Sequence, residues 1–157
     1  MRKKSIDEEI KTLLLNNYES YYRLAYSYVR NQEDAMDIVQ ESAYRAMKNS
    51  SSVKQAEYAA TWVYRVVINT ALDFIRKNRK ETVGIEDVDS AHEDRYMDFD
   101  VWDSLEKLDE KDRTIIILRY FEDRKLEDIA QMINENVNTV KTRLYRALKK
   151  LKIELAG

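Results

Sequence analysis

Apolar side chains recur every three or four residues along most of the chain, the period of a helix with one buried face. In the first half this period covers Ile6 to Arg30, Glu33 to Asn49 and about Ala56 to Lys80. Short polar segments separate the three stretches. The pattern therefore predicts three long helices in the first half of the chain.

The helical period stops after Lys80 and begins again near Asp98. Beyond Asp98 it predicts a short helix, a second helix for which Asp112 is the expected N-cap, and two further helices between Leu126 and Leu151. Residues 81–97 are acidic and poor in apolar side chains, which is typical of a flexible linker. We expect one domain over residues 1–80, a linker over 81–97 and a second domain over 98–157.

The composition supports an all-α fold and excludes several kinds of site. The chain has no proline, no cysteine and two glycines, so helix breakers and hairpin turns are scarce. Disulfides, thiolate metal sites and cysteine nucleophiles are excluded. His92 is the only histidine, and no glycine-rich phosphate loop is present. We expect no enzyme activity, no catalytic residue, no metal and no cofactor.

No apolar run approaches the ~20 residues that span a bilayer, and the first residues are polar with mixed charge. The sequence thus predicts a soluble, cytoplasmic protein without membrane insertion.

The charges are strongly segregated although the net charge is only −2. Basic side chains dominate residues 61–80 and 137–157, whereas residues 81–112 hold thirteen acids and three bases. Two basic helices on either side of an acidic segment indicate phosphate-binding surfaces.

The segment from Leu126 to Leu151 has the pattern of a helix-turn-helix. Asn134 stands where the turn needs left-handed backbone, and Asn136 or Asn138 can cap the second helix. An ordinary amphipathic hairpin with a solvated basic face is the alternative. The outer face of the second helix carries donors and hydroxyls of the types that contact bases and phosphates. The predicted DNA-binding residues are Asn138, Lys141, Thr142, Arg143, Tyr145, Arg146 and Lys149.

Four segments together resemble the extracytoplasmic-function (group 4) sigma factors of bacterial RNA polymerase. They begin at Asp34 (DAMDIVQESAYRAM), Thr61 (TWVYRVVINTALDFIRK), Leu108 (LDEKDRTIIILRYF) and Leu126, and they stand in the family's order and spacing. The resemblance implies a region 2 module of three or four helices and a region 4 helix-turn-helix module. Departures from the family pattern are Asp109 for a proline, Glu135 for an apolar turn residue and Asn138 for a glycine.

The resemblance also implies roles for the two modules. Region 4 would read the −35 promoter element and region 2 the −10 element, both held on core RNA polymerase through the clamp of its largest subunit and the flap of the second largest. An anti-sigma factor is a further expected partner. The linker would thread polymerase channels, although a simple solubilising tether explains it equally well.

Two sets of region 2 residues follow from this match. Asp34, Asp37, Gln40 and Glu41 share one helix face and are the expected docking residues, although a solvated helix start also explains such acids. The residues expected at the −10 element are Tyr58, Trp62, Arg65, Asn69, Arg76 and Lys77. For Trp62 a core position is the alternative. The loop over residues 50–57 resembles the one that holds a flipped −10 base.

The predicted function is an alternative sigma factor that directs core polymerase to specific promoters. The main rival is a stand-alone helix-turn-helix regulator, which leaves the acidic face and the second basic helix unexplained. An enzyme or a helical adaptor that binds only protein are the remaining alternatives.

Overall fold

The computed structural model describes residues 5–81 and 99–156, and these residues form helices and turns without any strand. The predicted linker, including His92, lies outside the described residues except for Glu81. The chain divides into two compact units, one up to Val83 and one from Gly84. No described helix has the length and apolarity needed to cross a membrane.

Four helices build the first unit: α1 (Ile6–Asn16), α2 (Tyr18–Val29), α3 (Gln32–Lys48) and α4 (Ala59–Glu81). Two 3₁₀ turns, Ser50–Ser52 and Ala56–Tyr58, lie between α3 and α4. Side chains cap the N-termini of α1 and α3. The Ser5 hydroxyl and the Glu8 carboxylate form a capping box, and the Asn31 amide oxygen accepts a hydrogen bond from the Asp34 N–H at 2.8 Å.

The single helix predicted from Ile6 to Arg30 is wrong, because the chain bends at Asn17. Backbone angles at Asn17 (φ −112°, ψ 24°) are not helical, and α2 starts at the next residue. Helix α1 packs on α4 and on α3, and α2 packs on the same two helices. The break at Asn17 lets two shorter helices both pack on α3 and α4.

The core of the first unit is closed by aromatic and aliphatic side chains from all four helices. Tyr21 on α2 and Tyr64 on α4 are fully buried and meet edge to face, with ring centroids 5.2 Å apart. Ile10, Ile38 and Val67 are buried around them. This packing fixes the outward faces of α3 and α4.

The second unit contains α5 (Phe99–Glu106), α6 (Glu110–Ile116), α7 (Leu126–Met132) and α8 (Val137–Ala156). A π-helical turn, Ile117–Phe121, continues α6. Asp109 is the N-cap of α6, since its carboxylate accepts the Asp112 N–H at 2.8 Å. The prediction that Asp112 caps this helix is therefore wrong: its side chain is buried instead.

A buried arginine connects α6 to the end of α5. Arg113 is 9% exposed, and its guanidinium donates to the carbonyls of Leu105 at 3.1 Å and Leu108 at 3.0 Å. Carbonyls at the end of a helix lack partners within the helix. Arg113 thus satisfies them and fixes α5 against α6.

Candidate nucleic-acid and partner interfaces

Helices α7 and α8 and the turn between them form the predicted helix-turn-helix. Asn134 has φ 58°, so the expected left-handed residue of the turn is confirmed. The Asn136 side chain accepts the Asn138 N–H at 2.7 Å, which makes Asn136 rather than Asn138 the residue that caps α8. Glu135, which departs from the family pattern, forms an ion pair with Lys111 of α6 that holds the turn on the unit, and this contact lowers the pKa of Glu135.

Helix α8 has one buried and one exposed face. Val140, Leu144 and Ala147 are buried, and Leu151 is half-buried, as the pattern predicts. Six of the seven predicted DNA-binding side chains are exposed together on the opposite face: Asn138, Lys141, Thr142, Tyr145, Arg146 and Lys149. Lys141 and Lys149 offer donors to base edges and phosphates. The Thr142 hydroxyl donates to the Asn138 carbonyl at 3.0 Å, and Arg146 Nη2 donates to the Asp112 carboxylate at 3.3 Å.

Arg143 is the exception among the seven residues. Its side chain is 25% exposed, and its Nη1 donates to the Asp112 carboxylate at 2.8 Å. The hydrogen bond that Arg143 donates to Asp112, ahead of the negative charges of Asp112 and Asp109, raises the pKa of Arg143. Arg143 is therefore held inside the unit and is not presented like Lys141.

The second unit also has an apolar groove of about 300 Å³ beside α8. The π-helical turn places Tyr120 and Phe121 at this groove, and Leu105 and Leu151 line it further. Tyr120 is 54% exposed. An exposed aromatic ring next to an apolar groove is a surface suited to a protein partner.

The acidic face of α3 is exposed at Asp37, Gln40 and Glu41, whereas Asp34 is half-buried. Burial, followed by the charges of Asp37 and Glu33, raises the pKa of Asp34. Glu41 is paired with Arg45 at 3.0 Å. The four predicted residues thus lie on one side of α3, with Asp34 at its edge.

An open groove of about 530 Å³ separates this face from α4. Arg45 spans it and donates to the Asp73 carboxylate at 3.0 Å, and Asp73 also binds Arg76 at 3.1 Å. The Asp73 hydrogen bond is the main cause that raises the pKa of Arg45. The acidic face of α3 and the basic end of α4 therefore share one ion-pair network.

Along α4, Trp62, Arg65, Asn69 and Arg76 form one stripe, and Lys77 lies beside its end at the groove towards α3. Asn69, Arg76 and Lys77 are exposed, while Trp62 and Arg65 are partly exposed. Trp62 is thus neither a fully buried core residue nor a fully free ring. Tyr58 is partly exposed and accepts a hydrogen bond from Arg65 at 2.7 Å.

The loop before α4 is also held by the first helix. The Ser50 hydroxyl donates to the Asp7 carboxylate at 2.5 Å, and the Lys54 ammonium donates to the Ser51 carbonyl at 3.3 Å. Sequence reasoning missed Asp7, Asp73, Asp112 and Arg113 as parts of these surfaces. For Asp7 and Asp112 the sequence carries no local signal, since their partners stand more than 30 residues away in the chain.

Comparison with known proteins identifies the family of the chain. The family model described as Sigma-70 region 2 matches residues 13–81, and that described as Sigma-70, region 4 matches residues 99–151. RNA polymerase sigma factor SigV of Bacillus subtilis (strain 168) is 46% identical over 160 residues, 99% of this chain and 96% of that protein. ECF RNA polymerase sigma factor SigW of the same organism is 31% identical over 156 residues, 87% of this chain and 83% of that protein.

The fold also matches a solved structure, the sigma factor RpoE in complex with the anti-sigma factor NepR from Bartonella quintana. The TM-score is 0.79 at 25% identity, covering 93% of this chain and 96% of that chain. The family models and the relatives agree along nearly the whole length. The chain therefore belongs to the extracytoplasmic-function sigma factors of the sigma-70 family, and it is an alternative sigma factor that directs RNA polymerase to promoters.

Proposed function

We propose that the two units read the two promoter elements while the first unit is docked on core polymerase. In this proposal residues 1–80 form the docking and −10 module, residues 98–157 form the −35 module, and residues 81–97 link them. Each unit binds a short element weakly, and attachment to one polymerase makes the pair selective. Polymerase performs the chemistry, so the chain itself catalyses no reaction and acts in the cytoplasm with polymerase and DNA.

The exposed face of α8 carries the −35 assignment. Asn138, Lys141 and Thr142 lie in its first turns, the part of a recognition helix that contacts bases. Arg146 and Lys149 follow on the same face, where they suit phosphates. The assignment accounts for six exposed side chains on a helix whose other side is buried.

The −10 assignment is supported by the stripe on α4 and by the loop attached to it. Tyr58 and Trp62 offer aromatic surface, and Arg65 and Asn69 offer hydrogen-bonding groups beside it. Unstacking a base costs a few kcal/mol, which stacking and edge contacts in a pocket offset. The stripe ends in Arg76, with Lys77 beside it, and both suit the phosphates next to such a base.

Docking on core polymerase distinguishes the proposed sigma factor from a stand-alone regulator. The exposed side chains of Asp37, Gln40 and Glu41 present acceptors beside an open groove, which suits a basic surface of the polymerase clamp. The apolar groove at Tyr120 and Phe121 suits a helix from the polymerase flap. A regulator that binds operators alone has no use for either surface.

We also propose that an anti-sigma factor holds the free chain. The related B. quintana RpoE was solved with such a partner, and the matched region covers both units of this chain. The same acidic and apolar surfaces that fit polymerase are available to that partner. Binding would then be mutually exclusive with core polymerase.

Transcription from a reconstituted polymerase tests the −35 assignment. Core polymerase with the wild-type chain should start transcription at discrete sites, and replacing Lys141 and Arg146 together by alanine should abolish it while core binding persists. Lys11→Ala, an exposed lysine on α1, is the matched control and should have no effect. Unchanged transcription in the double variant would overturn the assignment of α8.

Core binding separates the proposal from its rival. Replacing Asp37 and Gln40 by alanine should weaken binding to core polymerase on the order of tenfold, as expected for central interface residues. Glu19→Ala, an exposed acid on α2, should bind as wild type. Tight duplex binding with no affinity for core polymerase would instead establish a stand-alone regulator.

A further inference from the structure

Asp112 of α6 is buried against helix α8, and its carboxylate accepts hydrogen bonds from two arginines of that helix. Its side chain is only 4% exposed. One carboxylate oxygen accepts Arg143 Nη1 at 2.8 Å, and the other accepts Arg146 Nη2 at 3.3 Å. Both arginines belong to the set predicted to bind DNA.

The two arginines are held to different degrees. Arg143 is 25% exposed and also lies 3.6 Å from the Asp109 carboxylate, whereas Arg146 is 59% exposed with Asp112 as its ion-pair partner. Within the part of the chain that the structure describes, Lys141 and Lys149 have no ion pair. The basic face of α8 therefore combines free lysines with arginines fixed by a buried carboxylate.

Fixing these arginines bears on specificity because phosphate contacts carry no sequence information. Every cation free to reach a phosphate raises the affinity for any duplex and steepens its salt dependence. A cation held from below binds only where the backbone of the duplex meets it in one geometry. The same contact sets the rotation of α8 on α6, and thereby the direction of Asn138 and Lys141.

We propose that Asp112 is a positioning residue that sets how strictly α8 discriminates between promoter sequences. It restrains Arg143 and Arg146 from indiscriminate phosphate binding and orients the base-reading turns of α8. The inference rests on the proposed −35 reading by α8. It adds a residue outside the helix-turn-helix that determines specificity without touching DNA.

The test compares wild type and Asp112→Asn, each as the full chain on core polymerase. The probes are a promoter fragment that the wild-type complex selects from a randomised duplex pool, and the same fragment with its −35 element scrambled. Asp112→Asn should bind the scrambled fragment roughly three- to tenfold more tightly, with a log–log salt slope steeper by about 1. Preference for the intact element should fall by a similar factor.

Asp109→Asn is the matched control. It removes a charge near the same arginine, and asparagine caps a helix as well as aspartate does. This variant should keep the wild-type preference. An equal loss of preference in Asp109→Asn would overturn the proposal, because general charge removal would then explain the effect.

A second variant covers the case in which Asp112→Asn does not fold. The double variant Asp112→Asn with Arg143→Gln removes the half-buried arginine together with the carboxylate that neutralises it. It still releases Arg146 from its ion pair. Reduced preference with raised affinity for the scrambled fragment supports the proposal. If affinity for both fragments falls together and their ratio stays constant, Asp112 is merely structural and the proposal is wrong.

Failure of the −35 assignment gives a different result. In that case the wild-type complex itself selects no second element, or ignores its scrambling. If the wild type prefers the intact element and Asp112→Asn shows the same ratio, only the inference about Asp112 is overturned.

Discussion

The Arg65 guanidinium donates a 2.7 Å hydrogen bond to the Tyr58 hydroxyl, seven residues earlier in the chain. This contact joins the turn Ala56–Tyr58 to the second turn of α4. The loop proposed to hold a flipped base is thereby fixed to the helix proposed to read the −10 element. Arg65 thus positions the loop, in addition to the contact with DNA that is proposed for it.

Tyr58→Phe should therefore impair promoter opening and leave core binding unchanged. The substitution keeps the ring but removes a hydrogen bond to a charged group, worth roughly 1.5–3 kcal/mol when fully formed and less at this partly exposed site. Fluorescence of 2-aminopurine placed in the −10 element of the holoenzyme complex measures the opened fraction. Tyr18→Phe, an exposed tyrosine on α2, is the control. Normal opening by Tyr58→Phe would contradict this role of the contact.

The hydrogen bond from Ser50 to Asp7 gives a second prediction for the same loop. Asp7→Ala should weaken discrimination at the −10 element, because the loop loses its attachment to α1, whereas Asp7→Asn retains an acceptor oxygen and should restore most of it. In a double-mutant cycle on the free energy of unfolding, Asp7→Ala and Ser50→Ala should show a coupling energy of about 0.5–1 kcal/mol. Transcription from promoters with single −10 substitutions measures the discrimination. Equal losses in Asp7→Ala and Asp7→Asn would exclude the hydrogen bond as the cause.

The left-handed backbone at Asn134 gives a prediction for stability. Asn134→Ala should lower the free energy of unfolding by about 1 kcal/mol, because a Cβ without a local hydrogen-bonding group is disfavoured at φ 58°. Asn134→Gly should be at least as stable as Asn134→Ala. Urea denaturation followed by circular dichroism measures both changes. Gln131→Ala, exposed on α7, should change stability little, and a loss there as large as at Asn134 would refute the backbone explanation.

The raised pKa of Asp34 predicts a pH-dependent difference between wild type and Asp34→Asn. Burial and the nearby charges of Asp37 and Glu33 disfavour the ionised form in the folded state. The folded protein therefore binds the proton more tightly than the unfolded chain does, and ionisation of Asp34 opposes folding. Above the folded pKa the variant should be the more stable protein, and this advantage should shrink as the pH falls through the folded pKa towards the ordinary aspartate value.

Urea denaturation of both proteins between pH 7 and pH 4 measures that difference. The magnitude should be small, because Asp34 is partly solvated. Asp37→Asn provides the comparison, since it removes one of the repelling charges and should bring the pKa of Asp34 closer to its ordinary value. An advantage of Asp34→Asn that grows towards acid pH would contradict the direction of the shift.

The sequence by itself determined the helical architecture, the turn at Asn134 and the exposed face of α8. These features depend on local chemistry: the period of apolar residues, the tolerance of asparagine for left-handed backbone, and the absence of proline. The family could be recognised for the same reason, because its motifs are contiguous segments. The helical period alone places residues such as Lys141 and Tyr145 on the exposed face of α8.

The tertiary structure decided which charged side chains are free and which are held. Asp112 lies 31 and 34 residues from its two arginines, and Asp7 lies 43 residues from Ser50. No local pattern encodes such a pairing, because it depends on how α6 meets α8 and how α1 meets the loop. The bend at Asn17 has the same origin, since it depends on how α1 and α2 both pack on α3 and α4. The sequence predicted Asp112 as a helix cap, whereas the packing of α6 on α8 makes it the ion-pair partner of Arg143 and Arg146.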